Sequence, residues 1–244
     1  NFMFGTLASS FINVMLYSTL LLVPMFVQSL LGYSPSMSGL TMFPRAIICL
    51  IGLIVVGEIS RFVEARLLAT IGLLIMAVSV LMLTQMNTAS SMESVILPNI
   101  LLCIGVPTAF VPITALSFQT LPASKNADAA ALHALFKNIV TAIATSASAT
   151  FIARVSQVHQ NYLVGNLTPH NPMFQYKLMA LKSKFLIHYP SVMAAKKANG
   201  MLYKELLQQA KLASFFDAFT VLAMMCIIII PVLYILKSKK KVSN

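Results

Sequence analysis

Long apolar runs alternate with short polar connections along most of this chain. Each run contains about the 20 residues that an α-helix needs to cross roughly 30 Å of hydrocarbon at about 1.5 Å per residue. The runs are Phe4–Leu30, Met37–Val56, Leu67–Met86, Ser94–Phe118, Asp128–Ala153 and Ser214–Leu236. The pattern therefore predicts an all-α fold, a polytopic transmembrane bundle of six helices.

The lengths of the connections divide the chain into regions. Short loops join the first five runs, so residues 1–153 are expected to form five antiparallel neighbours. Residues 154–213 are more polar and include eight Lys or Arg residues. We expect this region to be a long outer loop, periplasmic or extracellular, with interfacial helices. The final helix at 214–236 and a basic cytoplasmic tail at 237–244 follow it.

Composition supports a membrane protein and argues against a nucleic-acid partner. The chain is 58% hydrophobic and 9% charged, with a mean hydropathy of +0.85, whereas soluble domains carry about 25% charged residues. The net charge is +11, but the basic residues concentrate in 154–213 and in the tail rather than on a soluble domain. Membrane lipid headgroups are therefore the expected counter-ions.

The distribution of basic residues predicts the orientation. Arg61, Arg66 and Lys125 lie in the second and fourth connections, and the first and third connections contain no Lys or Arg. Short cytoplasmic loops carry the excess of positive charge in membrane proteins. After six crossings the basic tail lies on that same side. We therefore expect a multi-pass protein of the plasma (inner) membrane with a cytoplasmic C-terminus.

Two cations lie deep inside predicted spans, where an ionisable side chain is costly and usually faces a bundle interior or a watery cavity. They are Arg45 in the second span and Lys137 in the fifth. Either they line a translocation pathway, or they bond to backbone carbonyls or to a helix outside this chain. His133 is open to the same two interpretations, as a titrating pathway residue or as a hydrogen-bonded packing residue.

Helical periodicity gives two of the spans a distinct polar or small-residue face. One face of the fifth span carries His133, Lys137, Thr141, Ala144 and Ser148, and the opposite face carries Leu132, Leu135, Ile139 and Ile143. The fifth helix is therefore expected to have a wet side and a lipid side. In the second span the small-residue face, suited to close packing or to a cavity wall, consists of Ser38, Thr41, Arg45, Cys49 and Gly52.

Further positions suggest structural roles. Pro107 and Pro112 interrupt the fourth span and predict a bending element, because proline breaks backbone hydrogen bonds. Asp128 opens the fifth span, where the helix dipole favours an anion. The cysteines all lie in apolar runs, and we predict neither a disulfide framework nor a metal site. No catalytic pattern is present, so neither an enzyme activity nor a cofactor is predicted.

Several residues occur in the order and spacing of a known family. Pro24, Gln28 and the run Gly32-Tyr33-Ser34 resemble the matching helix pair of the fourteen-span drug:proton antiporters of the major facilitator superfamily, the EmrB/QacA type. Lys137 falls where that family usually has Arg. The resemblance also covers Gly57 with Arg66, Pro112 and Asp217. Taken together with the residues singled out by their positions alone, the gating or structural candidates are Gly57, Arg61, Arg66, Pro107, Pro112, Asp128 and Asp217.

The resemblance implies an architecture and a function. The runs would correspond to spans nine to fourteen, the C-terminal half of a major facilitator fold. The resemblance and the polar helix faces together give the transport-pathway candidates, namely Gln28, Arg45, His133, Lys137, Thr141 and Ser148. The function would be proton-coupled efflux of drugs or other amphipathic compounds by alternating access.

That function implies partners. They are a small-molecule substrate, protons, N-terminal helices of the same polypeptide and a periplasmic adaptor protein. The alternative is a truncated or non-transporting membrane subunit with a structural or interaction role.

Overall fold

The computed structural model describes residues 2–88, 90–119, 122–165 and 172–235, and the regular structure within them is helical. The helices are α1 (Phe2–Ser29), α2 (Pro35–Ile59), α3 (Ala65–Leu83), α4 (Met92–Phe118), α5 (Asn126–Val164), α6 (Pro172–Leu186) and α7 (Ser191–Ile235), with a 3₁₀ turn at Ala123–Lys125. The all-α prediction is confirmed. The end of the last predicted span, at Leu236, and the tail at 237–244 lie outside the described residues.

The number of membrane-crossing helices agrees with the apolar runs. Within the described residues, six helices are long and apolar enough to cross a membrane, namely α1 to α5 and α7. The polytopic six-span prediction is therefore confirmed, and the chain is a multi-pass membrane protein.

Helix covers much of the region that the hydropathy pattern assigns to a loop. α5 continues to Val164, α6 occupies Pro172–Leu186, and α7 begins at Ser191. Proline is tolerated in the first turn of a helix and disfavours helix at the residue before it. Pro172 and Pro190 accordingly lie at and just before helix starts, and neither interrupts a helix. The side of the membrane on which this region lies stays a prediction.

The turn between α1 and α2 is determined by its sequence. Gly32 has a φ of 72°, a left-handed conformation that glycine adopts without steric cost. Ser34 then caps α2 by accepting a hydrogen bond from the backbone N–H of Met37, and Pro35 occupies the first turn. The chain therefore reverses direction within a few residues.

Two compact units divide the chain. The first contains the residues up to Ala149 together with those from Phe216 onward. Its most extensive helix contact is between α3 and α4, where a Cβ at Gly72 would lie 2.7 Å from the carbonyl carbon of Thr108. Ser79 adds a polar contact by donating to the carbonyl oxygen of Pro98 at 2.6 Å. Small residues thus allow the two backbones to approach closely.

The spans of the first unit differ in how much of their surface they bury. α1, α3 and α4 are about half buried or more, whereas α2 and α5 bury much less. The exposed surface of these two helices is apolar, including Leu50 and Ile54 on α2 and Leu135 and Ile143 on α5. It requires lipid or further protein as a cover.

The second unit spans Thr150–Phe215 and contains the end of α5, α6 and the beginning of α7. On the first part of α7, up to residue 210, buried residues recur at every fourth position, as Ala194, Ala198, Leu202, Leu206 and Ala210. Polar contacts join its segments. Gln160 Nε2 donates to the hydroxyl of Tyr203 at 2.8 Å, and Lys177 pairs with Glu205 at 3.2 Å.

Candidate functional site

Helix α1 is buried although it carries many hydroxyl and amide side chains. The buried polar residues of α1 are Thr6, Ser9, Ser10, Asn13, Ser18 and Thr19. Some of them bond to their own helix: Ser10 donates to the Thr6 carbonyl at 2.7 Å, and Thr19 donates to the Met15 carbonyl at 2.9 Å. Others face neighbouring helices and form two separate polar clusters.

The first cluster joins α1 to α5. Ser9 Oγ lies 2.8 Å from Nε2 of His133, and Ser148 Oγ donates to Ser18 Oγ at 2.9 Å. Both residue pairs advance in the same direction along the chain, so α1 and α5 run parallel, as the first and fifth members of an antiparallel series must. We call the interface formed by Ser9, Ser18, His133, Lys137, Thr141 and Ser148 the polar seam.

His133 is a well-packed member of the polar seam. Its side chain is buried, and its ring meets the ring of Phe118 edge-on at a centroid distance of 5.6 Å. Ser9 also lies 3.0 Å from the Thr6 carbonyl, to which its hydroxyl donates. In that arrangement Nε2 of His133 donates its proton to Ser9 Oγ. Hydrogen bonding and packing thus hold the imidazole in place.

Lys137 and Thr141 lie between the two α1 contacts and have unused polar groups. Lys137 is half-buried, one turn beyond His133. Within the described part of the chain, no hydrogen-bond or ion-pair partner contacts its ammonium group. The Thr141 hydroxyl is buried and has no hydrogen-bond partner in that same part. Buried polar groups are normally paired, so the unpaired Thr141 hydroxyl is an exception, which it shares with the hydroxyls of Thr6 and Ser38.

The second cluster surrounds Arg45, which is only 4% exposed. Its Nη2 donates to the Leu16 carbonyl and to Thr19 Oγ1, both at 3.1 Å, and its Nη1 donates to Asn99 Oδ1 at 3.3 Å. Arg45 therefore joins α2 to α1 and α4 inside the bundle. Of the two interpretations of this residue, the geometry matches bonding to backbone and side-chain acceptors of neighbouring helices.

The two clusters meet on α1. Thr19 accepts from Arg45 on α2, and the adjacent Ser18 accepts from Ser148 on α5. A rotation of α1 would therefore disturb both sets of hydrogen bonds at once.

The remaining candidate residues from the sequence lie outside the polar seam and the Arg45 cluster. Gln28 is exposed, ten residues beyond Ser18 on α1, which corresponds to about 15 Å along a helix. Asp128 and Asp217 are exposed as well. Pro107 and Pro112 are buried within α4.

Three of the gating or structural candidates, Gly57, Arg61 and Arg66, lie at the end of α2 and the start of α3. Arg61 pairs with Glu58 at 3.2 Å, and the carbonyl of Gly57 accepts a hydrogen bond from Ser60. Arg66 is half-buried in the first turn of α3. These residues form a local group at a helix end.

Sequence reasoning did not identify Ser9, Ser18 and Asn99 as partners of the predicted residues. Ser9 and Ser18 lie in a run that is apolar overall, and Asn99 is one amide in the apolar fourth run. The available signal in the sequence was that several polar residues of α1 recur at helical spacing. That signal gives no indication of which other helix they contact.

Comparison with known proteins identifies relatives of the chain. No protein-family model matches it. The multidrug export protein EmrB of Haemophilus influenzae is 23% identical over 72% of this chain. EmrB of Escherichia coli K12 is 21% identical over 97% of it. The chain is thus similar in sequence to the EmrB-type multidrug export proteins.

The chain spans only part of these EmrB relatives, 34% of the Haemophilus protein and 45% of the Escherichia protein. The fold agrees with a solved structure of a bacterial homologue of the human lysosomal transporter Spinster, in an inward-facing and occupied conformation. The TM-score is 0.67 at 15% identity, over 96% of this chain and 48% of that one. The bundle has the fold of one half of a major facilitator transporter, as the EmrB resemblance implies.

Proposed function

We propose that this bundle is one half of a secondary active transporter that exports drugs or other amphipathic compounds in exchange for protons. The polar seam is the observation that carries the proposal. Between its two α1 contacts lie Lys137 and Thr141. Lys137 is half-buried, and its ammonium has no partner among the described residues; the Thr141 hydroxyl is buried and unpaired in the same part of the chain. A Lys at the centre of a membrane helix costs about 2.5–3.5 kcal/mol on insertion scales, which favours a functional role for it.

The chemistry of the seam suggests how a substrate is held. The ammonium of Lys137 attracts an anionic or carbonyl group of the substrate, and the Thr141 hydroxyl adds a neutral hydrogen bond. His133 positions this part of α5 against α1 through Ser9.

The proton-carrying carboxylate of this mechanism belongs to helices outside this chain. The sequence contains six acidic residues, Glu58, Glu64, Glu93, Asp128, Glu205 and Asp217. All six are described and exposed. A carboxylate that relays protons through a membrane lies in the bundle interior or in a cavity. Four of the six acidic residues lie at or beside the ends of α2 to α5, away from the middle of a span. We therefore assign the proton-carrying role to another part of the transporter.

The partner of the bundle in this proposal is a second set of helices from the same polypeptide. The EmrB relatives are more than twice as long as the region that they share with this chain. The exposed apolar faces of α2 and α5 supply the contact surface. Rocking of the two halves around a midplane site then gives alternating access.

The placement in the membrane follows from the distribution of basic residues. We place the chain in the plasma (inner) membrane with its C-terminus in the cytoplasm, because Arg61, Arg66 and Lys125 mark the inner connections. The second unit, at Thr150–Phe215, then lies on the outer side. Its exposed tyrosines and lysines provide a surface for a periplasmic adaptor protein.

The test uses the complete product of the gene in everted membrane vesicles. When respiration acidifies the vesicle interior, the vesicles should accumulate an anionic amphipathic dye, and nigericin, which dissipates the pH gradient, should abolish the accumulation. Vesicles without the gene product are the control. Accumulation equal to that control would contradict the proposal and favour a non-transporting membrane subunit.

A further inference from the structure

Helices α2 and α4 face each other in matched register. Arg45 on α2 donates to Asn99 on α4 at 3.3 Å. Seven residues after Arg45, a Cβ at Gly52 would lie 2.9 Å from Cγ of Pro107 and 3.4 Å from the carbonyl oxygen of Cys103. The contacts advance together along both helices, which therefore run parallel and lie close.

Two of the three cysteines lie between these contacts along the axes of α2 and α4. Cys49 lies four residues after Arg45, and Cys103 lies four residues after Asn99, so each is one helical turn further along the same face. The hydrogen bond from Arg45 to Asn99 joins residues 54 apart in the sequence. The same offset pairs Cys49 with Cys103, so the two cysteines lie opposite each other across the interface of α2 and α4. Cys103 is buried, whereas Cys49 is half-buried and is therefore the more accessible of the two.

We propose that Cys49 and Cys103 form a two-coordinate binding site for a soft monovalent cation, Cu(I) or Ag(I). On binding, each thiol releases its proton to solvent, and each sulfur forms one bond to the metal. No electron is transferred. Thiolate sulfur is the protein ligand that Cu(I) prefers. The site is independent of the proposed transport function.

Charge balance favours a monovalent ion at this position. A monovalent cation with two thiolates carries one negative charge, which is costly in an apolar interior unless it is compensated. The guanidinium of Arg45 lies one turn away and supplies one positive charge, so the assembly is neutral overall. Among the described residues, no group of three or more His, Cys, Asp or Glu side chains is arranged to hold a metal. The four-ligand set that Zn²⁺ prefers is therefore not present in the described residues.

The primary test measures copper binding to the purified complete product under reducing conditions. Native mass spectrometry should find one Cu(I) bound by the wild type, and X-ray absorption should find two sulfur ligands for each copper. Cys49→Ser and Cys103→Ser should each abolish this binding. Cys226→Ser is the matched control, because Cys226 is a buried cysteine on α7, and it should bind like the wild type.

Three results of the copper-binding measurement would each refute the proposed site. Absence of copper binding in the wild type, retention of binding in either Cys49→Ser or Cys103→Ser, or its loss in Cys226→Ser would each refute it.

A second measurement tests the geometry without metal. Molecular iodine oxidises two adjacent thiols to a disulfide and yields two iodide ions and two protons. Iodine treatment of membranes should therefore produce a linked peptide containing Cys49 and Cys103, detectable by mass spectrometry after digestion. Failure to form this link, while single thiols in the same sample react, would refute the proximity of the pair.

Discussion

The two intramembrane cations differ in their surroundings, although the sequence presents them alike. Arg45 and Lys137 both lie deep in apolar runs, and position alone predicts that both avoid lipid. The structure gives Arg45 three acceptors on two other helices. It gives Lys137 none among the described residues. The acceptors of Arg45 are 26 to 54 residues away along the chain, so helical periodicity within the second span gives no indication of them.

Substitution of Asn99 tests the importance of the Arg45 cluster for stability. Asn99→Leu removes the acceptor for Nη1 of Arg45 and leaves part of a buried charge without a partner. We expect a loss of about 1–3 kcal/mol in the free energy of unfolding, which is typical of an unsatisfied buried group. Far-ultraviolet circular dichroism during heating in detergent measures it. Asn161→Leu, at an exposed position, is the matched control.

The Asn99 prediction has a clear opposing outcome. If Asn99→Leu and Asn161→Leu unfold at the same temperature, the hydrogen bond from Arg45 contributes nothing to the stability of the bundle.

At the scale of helices, the apolar runs predict α1 to α4 within a few residues at each end. Run length is sufficient there, because the membrane defines how long an apolar helix must be. It is insufficient for α5 and α7, which continue as helix through polar sequence to Val164 and from Ser191. In that region the helices are stabilised by packing of the second unit, including the α7 row Ala194, Ala198 and Leu202. Hydropathy does not report such packing.

The close contact between α3 and α4 predicts different effects of alanine at two glycines. Alanine should lower the free energy of unfolding at Gly72, and it should leave that free energy unchanged or raise it at Gly39. Gly72→Ala places a methyl group against the backbone of Thr108 and Ala109. Overpacking of this kind costs about 1–3 kcal/mol. Gly39→Ala on α2 adds the same methyl group where no atom lies within 4 Å. It should be neutral or stabilising by up to about 1 kcal/mol, the difference in helix propensity.

Thermal unfolding of the two variants, followed by circular dichroism in detergent, distinguishes them. Equal destabilisation by Gly72→Ala and Gly39→Ala would mean that α3 and α4 do not approach each other as closely as the structure shows.

At the scale of the whole molecule, α1 connects the groups that the proposed transport cycle uses. Ser18 bonds to Ser148 on α5, and Thr19 bonds to Arg45 on α2. The helices that α1 contacts in this way, α2 and α5, are also the ones with large exposed apolar faces. We infer that movement of a partner against these faces reaches the polar seam through α1. The resemblance to EmrB-type transporters predicts the half-transporter architecture. The polar seam could not be predicted from the sequence, because its α1 members lie more than a hundred residues from their α5 partners.

The central claim is that the polar seam belongs to the transport pathway, and Lys137 tests it most directly. In everted vesicles containing the complete gene product at matched abundance, Lys137→Met should reduce proton-driven dye accumulation to the level of vesicles without the protein. Lys137→Arg, which keeps the positive charge, should retain accumulation. Wild-type accumulation by Lys137→Met would contradict the claim.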